Sequence, residues 1–450
     1  MSSPNIEGPK LTRRPVGTTL LRMAVPMLGG TFALNAFNLT DTWFVAQLGT
    51  LPLAAMSFSF PVVMFVISIT FGLGTGVTTV VSHALGSGDH ELAKRLTTHT
   101  LILCVGIIFF ISIIGLLTID PLFRLIGANE TVLPLIHEYM TIWYLSVVFV
   151  ILPMIANNVI RATGDMVLPS MIMIIVSVLN MILDPILIFG WLGFPAMGIR
   201  GAALATLIAR AIAGVVVIWL LHRRYKLLTW EIPTWSSMLR SWKEVLAIGL
   251  PSSLSNVLVP ISGAVLIYIV AQHGEAAVAA CGAAVRIEMF AFMIPMALGV
   301  TLMPFVGQNY GAKRLDRVKE AQRLSSIFAI GFGVVIAILF AIFSRNMASL
   351  FSHDPEVIRI AERYLTIIPI GYGMMELHRY SGVFLNGIRK PLHSTGLSVV
   401  RIIVLLIPLS IVGSLLFGLE GLFWGRVVCD LISGVVGMIW SHRVLRTLMK

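Results

Sequence analysis

Long apolar runs follow one another along almost the whole of this 450-residue chain. An α-helix needs about 20 apolar residues to cross the hydrocarbon core of a bilayer. Charged residues make up only 12% of the sequence, which is too few to give a chain of this length a water-facing surface. The pattern therefore predicts an all-α polytopic membrane protein. Its twelve transmembrane helices are expected at roughly 17–42, 52–84, 95–118, 132–160, 167–190, 197–221, 244–271, 277–307, 321–344, 357–385, 393–413 and 419–441.

The basic residues indicate how these spans are oriented. Most Lys and Arg lie in alternate segments between the predicted spans, and only Arg124, Arg200 and Arg345 are assigned to the opposite set. By the positive-inside rule, both termini are predicted to be cytoplasmic. The formal net charge of +11 then follows from membrane topology and suits anionic lipid headgroups, so no nucleic-acid partner is needed to explain it.

The sequence repeats itself across its longest polar interruption, residues 222–243. Each half holds six predicted spans, so the repeat is parallel and the halves form two pseudo-symmetric six-helix bundles. We predict a first lobe at 1–221, a cytoplasmic linker at 222–243 and a second lobe at 244–450. Such a duplication is typical of transporters that expose a substrate to one side of the membrane at a time. The residue pairs that carry the repeat are Pro26 with Pro251, Val45-Ala46-Gln47 with Val270-Ala271-Gln272, Gly49 with Gly274, Gly198 with Gly418 and Gly201 with Gly421.

Two acids lie inside predicted spans of the first half, Asp41 in span 1 and Asp184 in span 5. Ionisable groups in the hydrocarbon region are costly and mark functional sites. Asn180 and Asp184 are four residues apart and share one helix face, and Pro185 leaves a backbone carbonyl without its helical donor. These oxygens could hold Na⁺, or a carboxyl group in an apolar cavity could carry a proton. The structural alternative is that Asp184 only caps a helix end near the membrane surface.

The second half has its own polar residues within the spans. They form either a buried ion-pair network or a second site, for a proton or for an anionic group. His378 belongs to the residue type that titrates near neutral pH. The residues concerned are Arg286, Glu288, Glu376, His378, Arg379, Arg401, Arg426 and Asp430.

Sequence signatures of enzymes and of ATP hydrolysis are absent. There is no P-loop and no His-Glu-x-x-His motif, and no Ser/His/Asp set can be assigned. The three cysteines, Cys104, Cys281 and Cys429, lie in apolar stretches and are expected to be buried hydrophobic residues. We therefore expect no enzyme activity, no cofactor and no ATP, and transport that draws on an ion gradient.

Taken together, several stretches of the chain resemble the multidrug and toxic compound extrusion (MATE) family, and most closely its prokaryotic DinF-like branch. They are Pro26, Asn38-Leu-Thr-Asp41-Thr-Trp-Phe, Ala46-Gln-Leu-Gly49, Arg161-Ala-Thr-Gly-Asp165, Leu179-Asn180 through Asp184-Pro185, and Gly201-Ala-Ala-Leu-Ala-Thr206.

The resemblance implies a V-shaped antiporter of the inner membrane that exports cationic or amphipathic drugs in exchange for H⁺ or Na⁺ and so confers drug resistance. It places Asp41 and Asp184 at the coupling positions, with Asn180 beside them. Phe37 stands where a Tyr hydroxyl is expected in members with a complete ion site, which favours H⁺ over Na⁺. The candidates for the wall of the first-half cavity are Phe37, Asn38, Asn157, Asn158 and Thr206.

Two other functions remain open. A flippase for a lipid-linked anionic precursor would need an Arg-rich cavity, for which Arg286, Arg379 and Arg401 are available, although the first-half acids argue against it. A membrane sensor or scaffold would not explain the duplicated bundles. We expect small drug-like molecules and membrane lipid as partners, and a monomer.

Overall fold

The computed structural model describes residues 10–231 and 233–449. The regular elements of this part of the chain are helices, as expected where lipid cannot satisfy backbone polar groups. They are α1 (Val16–Ala46), α2 (Thr50–Gly86), α3 (His90–Leu125), α4 (Leu133–Ala162), α5 (Val167–Phe189), α6 (Ile199–Arg223), α7 (Trp235–Ala271), α8 (Glu275–Ala291), α9 (Met293–Gly311), α10 (Leu315–Ser349), α11 (Pro355–Ile367), α12 (Tyr372–Gly387), α13 (Pro391–Val399) and α14 (Ile407–Met449).

The predicted spans correspond to these helices in order. Spans 1 to 7 and span 9 are single helices, whereas span 8 is the pair α8 and α9, which meet at a bend of 51°. Span 10 is α11 and α12, joined by the 3-10 turn Ile368–Gly371. Spans 11 and 12 form one helical stretch through α13, the π-helical turn Val400–Leu406 and α14, which kinks at Phe417 and Gly418. The predicted all-α fold class is confirmed.

Length and hydropathy alone select nine of the described helices as able to cross a membrane, or ten if the bent pair is one span. This number is lower than the twelve predicted spans for two physical reasons. The stretch Pro391–Met449 counts as one helix although it contains two predicted spans. Span 10 is divided into α11 and α12, which have 13 and 16 residues and are each too short to cross a membrane alone.

Many large apolar side chains point away from the protein interior. Leu117 is 77% exposed, Val215 is 73% exposed and Phe110 is 65% exposed. In water, contiguous exposure of this kind would favour aggregation, whereas lipid chains cover it without cost. The exposed apolar surface is that of a multi-pass membrane protein.

The described chain forms two compact units, one of Val25–Gly249 and one of residues 10–24 with 250–449. Each division falls within two residues of a repeat-related proline, Pro26 in α1 and Pro251 in α7. Each of these helices therefore contributes its first turns to one unit and the rest to the other. The predicted lobe limits at 221 and 243 stay predictions.

Specific contacts fix the first turns of these two helices. The Trp242 indole N–H of α7 donates to the carbonyl of His99 (2.8 Å), and the His99 ring bonds the Ser241 hydroxyl (2.8 Å). In the other unit, the Arg317 guanidinium donates to the carbonyl of Leu11 (3.1 Å), just before α1.

The internal repeat is visible in the backbone. Gly49 precedes α2 with φ 110° and ψ −178°, and Gly274 precedes α8 with φ 98° and ψ 171°. Gly198 precedes α6 with φ 56° and ψ −133°, and Gly418 forms the kink of α14 with φ 63° and ψ −148°. Residues that carry a side chain rarely adopt these backbone angles. Both members of each pair are therefore glycine because only glycine adopts such angles without strain. The repeat predicted from the sequence is confirmed at these positions.

The loop after α4 is joined to the end of α6. Asp165 accepts hydrogen bonds from the backbone N–H groups of Val167 and Leu168 and from the Tyr225 hydroxyl (2.7 Å). Burial, and then this hydrogen bond to a carboxylate, raises the pKa of Tyr225 above its usual value. Asp165 thus holds the turn between α4 and α5 against the end of α6.

Candidate functional site

Small residues bring α5 and α6 of the unit Val25–Gly249 close together. A side chain at Gly201 would lie 2.4 Å from the backbone carbonyl oxygen of Leu187, so only glycine permits this crossing. Because the two helices run antiparallel from this point, Thr206 of α6 then meets Asn180 of α5. Glycine also assists the contact of α1 with α5, where Gly30 packs on the backbone of Ser170.

Hydrogen bonds join the polar residues of α5 and α6. In the amide orientation that satisfies both of its neighbours, Asn180 donates to Asp184 Oδ2 (2.8 Å) and accepts from the Thr206 hydroxyl (3.2 Å). Asn180 is 2% exposed and Asp184 is fully buried. The structure thus brings Asn180, Asp184 and Thr206 together, as far as the described residues show, with the amide nitrogen and not the amide oxygen facing the acid.

The two acids of this unit are buried and incompletely satisfied. Asp41 is 9% exposed, and among the described residues neither Asp41 Oδ1 nor Asp184 Oδ1 has a hydrogen-bond partner. The two carboxylates lie close enough for their charges to influence each other, and Tyr139 of α4 lies near both. Buried polar atoms nearly always have partners, so these two oxygens are suited to a proton or a cation.

The other cavity candidates of the first half lie on α4 and α1, and Asn38 and Phe37 stand within about one turn of Asp41. Asn157 is buried, and its side-chain oxygen has no partner in the described part of the chain. Asn158 accepts from the Arg161 guanidinium (3.4 Å), and Asn38 is exposed on α1. Phe37 is 8% exposed and lies under the side chain of Arg210.

Arg210 is a functional candidate that the sequence analysis missed. It lies on α6 one turn after Thr206, and its guanidinium carbon is 5.9 Å from the centre of the Phe37 ring. The signal was present in the sequence, because Arg210 interrupts the apolar run 197–221 near its middle. Arg210 was missed because the positive-inside comparison counts only the basic residues outside such runs.

In the unit that contains α8 to α14, Glu288 is the centre of a satisfied network. Its carboxylate accepts from the hydroxyls of Tyr364 (3.0 Å) and Tyr372 (2.5 Å) and from Arg426 (2.9 Å). Arg426 also donates to the Tyr364 hydroxyl (2.6 Å). Arg286, by contrast, is exposed. Glu288 therefore belongs to a buried ion-pair network, and the two tyrosines were not found from the sequence.

Two further ion pairs lie in the same unit. Arg379 pairs with Glu376 at 2.6 Å, and Arg401 pairs with Asp430 at 2.7 Å. Both acids are fully buried. The His378 ring is 8% exposed and lies 3.3 Å from the carbonyl oxygen of Ser433. These arginines are therefore compensated by acids.

No group of three or more His, Cys, Asp or Glu that could hold a metal ion occurs within residues 10–231 and 233–449. The three cysteines are free, and Cys104 and Cys429 are buried.

Comparisons with known proteins give one consistent result. The MatE family profile matches residues 26–186 and 251–412, one match in each repeat. An FAD transporter of Shewanella oneidensis is 37% identical over 438 residues, which are 96% of each chain. The multidrug export protein MepA of Staphylococcus aureus is 26% identical over 433 residues, 95% of this chain and 94% of MepA. The crystal structure of the Vibrio cholerae MATE transporter VcmN in its bent form is 33% identical, with a TM-score of 0.91 over 96% of this chain and 97% of VcmN.

Proposed function

Since this chain belongs to the MATE family of membrane transporters, we propose that it is a secondary active antiporter that exports amphipathic organic molecules in exchange for a cation. The observation that carries this proposal is the pair of membrane-buried acids, Asp41 and Asp184, each with one unpartnered carboxylate oxygen. A cation that binds these oxygens more tightly in one conformation than in the other biases the equilibrium between the two. No ATP is required.

We propose H⁺ as the coupling cation. Sodium needs several oxygen ligands, but in the amide orientation that satisfies both of its neighbours Asn180 presents its nitrogen to Asp184 and its oxygen to Thr206. Phe37 contributes no hydroxyl to the site. A Na⁺ site at Asn180 and Asp184 is therefore the less favoured alternative.

The distribution of Lys and Arg supports a proposal for the orientation. We propose that both termini are cytoplasmic and that the protein is a multi-pass protein of the inner membrane. We also propose that the single chain, with its two matched units, is sufficient for transport as a monomer.

Cationic or amphipathic drugs are the first substrate candidates, because two membrane-buried acids attract cations and a relative is named as a multidrug export protein. FAD is the second candidate, because the relative with 37% identity is named an FAD transporter. The flippase alternative is less favoured. Of the arginines available to it, Arg286 is exposed, while Arg379 and Arg401 are paired with acids.

The choice of cation leads to a direct prediction. In inverted membrane vesicles, we expect dissipation of the proton gradient with a protonophore to abolish drug accumulation, whereas removal of Na⁺ should leave it unchanged. The reason is the shortage of oxygen ligands around Asp184. Fluorescent-dye accumulation measures both conditions in one preparation, with vesicles that lack the protein as the control. Accumulation that persists with the protonophore and requires Na⁺ would assign the site to sodium.

A further inference from the structure

Arg210 has no charged partner in the described part of the chain. Its guanidinium packs over the ring of Phe37, and no acid of residues 10–231 and 233–449 lies within ion-pair distance of it. The side chain is partly exposed. Its nitrogens are not fully buried, so they face accessible space. An unpaired guanidinium inside a span is costly and calls for a compensating group.

Other arginines within the helices show how this protein normally compensates such a charge. Arg401 pairs with Asp430, Arg426 pairs with Glu288, and Arg379 pairs with Glu376. Arg161 of α4, which also has no acid partner, donates to the Asn158 amide oxygen (3.4 Å), whereas Arg210 has neither an acid nor a hydrogen-bond acceptor in the described part of the chain. Its compensating anion is therefore expected to come from outside the described residues.

The position of Arg210 on α6 excludes contact with the membrane surface. It lies about 16 Å from the nearer helix end, given a rise of about 1.5 Å per residue. It also lies on the face of α6 opposite the lipid-exposed side chains of Ile212, Val215 and Trp219. The guanidinium therefore faces the interior of its unit, and lipid headgroups are not its partner.

Phe37 positions this guanidinium without occupying its donors. An arginine packed over an aromatic ring keeps its N–H groups free, and these match two oxygens of one phosphate group. Phe37 is held in place because it is nearly fully buried. Phe37 lacks the hydroxyl that could bind an ion, but its ring has a different role, which is to orient the Arg210 guanidinium.

We propose that Arg210, oriented by Phe37, binds the phosphate group of an organic substrate such as a flavin nucleotide. This inference rests on the proposed function and selects the phosphate-bearing class among its candidate substrates. Asp41 lies one turn beyond Phe37 on α1, and Thr206 lies one turn from Arg210 on α6, so the acids form a separate layer about 6 Å away. A cationic drug and a phosphate group would thus be recognised by different layers of the same unit.

Equilibrium binding to the purified full-length protein tests this site without requiring transport. Fluorescence anisotropy of riboflavin, FMN and FAD compares one ring system with no phosphate, one phosphate and a diphosphate. We expect wild type to bind FMN, which adds only a phosphate to riboflavin, about 10- to 100-fold more tightly than riboflavin, the range of a hydrogen-bonded charge pair, and to keep this preference for FAD. Arg210→Gln should remove this preference, and Arg210→Lys should keep part of it.

The matched control is Arg200→Gln on the same helix, since Arg200 pairs with Glu138 at the surface and is 57% exposed. It should bind all three flavins as wild type does. A wild-type protein without the phosphate preference, or an Arg210→Gln variant that keeps it, overturns the proposal. So does a loss of riboflavin affinity in Arg210→Gln equal to the loss for FAD, since that would indicate a general structural defect. Loss of gradient-driven transport with the binding preference intact would count against the proposed function alone.

Discussion

Replacing Asp41 by Asn should abolish uphill export while leaving the protein folded. The substitution preserves the shape of the side chain but removes the group that binds the coupling proton. Because a cation shifts a conformational equilibrium only through its different affinities for the two states, uphill export should fall to about one tenth of the wild-type rate or less. The measurement is drug efflux from proteoliposomes with an imposed proton gradient.

Two controls separate coupling from folding. Asp120→Asn changes an acid that is exposed on α3 and should leave efflux unchanged. Exchange of labelled for unlabelled drug without a gradient should persist in Asp41→Asn, since it needs no coupling cation. Full uphill efflux by Asp41→Asn would show that the coupling group lies elsewhere, with Asp184 as the next acid to replace.

The apolar runs were sufficient to predict the order of the helices, but the ends of the helices depend on local capping. Span 3 was predicted at 95–118, whereas α3 is His90–Leu125. Asp89 caps the start of this longer helix, because its carboxylate accepts a hydrogen bond from the N–H of Leu92 (2.8 Å). A carboxylate at this position satisfies an amide that the helix leaves free. Hydropathy does not detect such a residue because it is polar.

Breaks within spans were also invisible to hydropathy. Span 8 was expected to be continuous, but it bends by 51° between α8 and α9. Pro295 lies in the first turn of α9 and cannot donate a hydrogen bond to the preceding turn, which fits a break beside Phe292. A proline in an apolar run indicates a possible bend, but the direction and the size of the bend depend on packing.

The candidate site was predictable where charge stood out against an apolar background, and not where it depended on distant partners. Asp41 and Asp184 were found because acids are costly in a span. Arg210 gave the same signal and was overlooked among the basic residues. The tyrosine partners of Glu288 could not be found, because Tyr364 and Tyr372 lie 76 and 84 residues away along the chain.

This network around Glu288 leads to the second large expected effect, on stability. Arg426→Met should lower the free energy of unfolding by about 3–5 kcal/mol, because it leaves the buried Glu288 carboxylate without its counter-charge. Adding Glu288→Gln should recover part of this loss, since the charge is gone and the amide oxygen still accepts from a tyrosine hydroxyl.

Thermal unfolding in detergent measures the series, with Arg359→Met as the control. Arg359 and Glu356 are 4.0 Å apart and mostly exposed, and such surface pairs contribute about 1 kcal/mol or less. A double variant less stable than Arg426→Met would mean that the tyrosine hydrogen bonds to the Glu288 carboxylate, and not the balance of charge, hold this unit together.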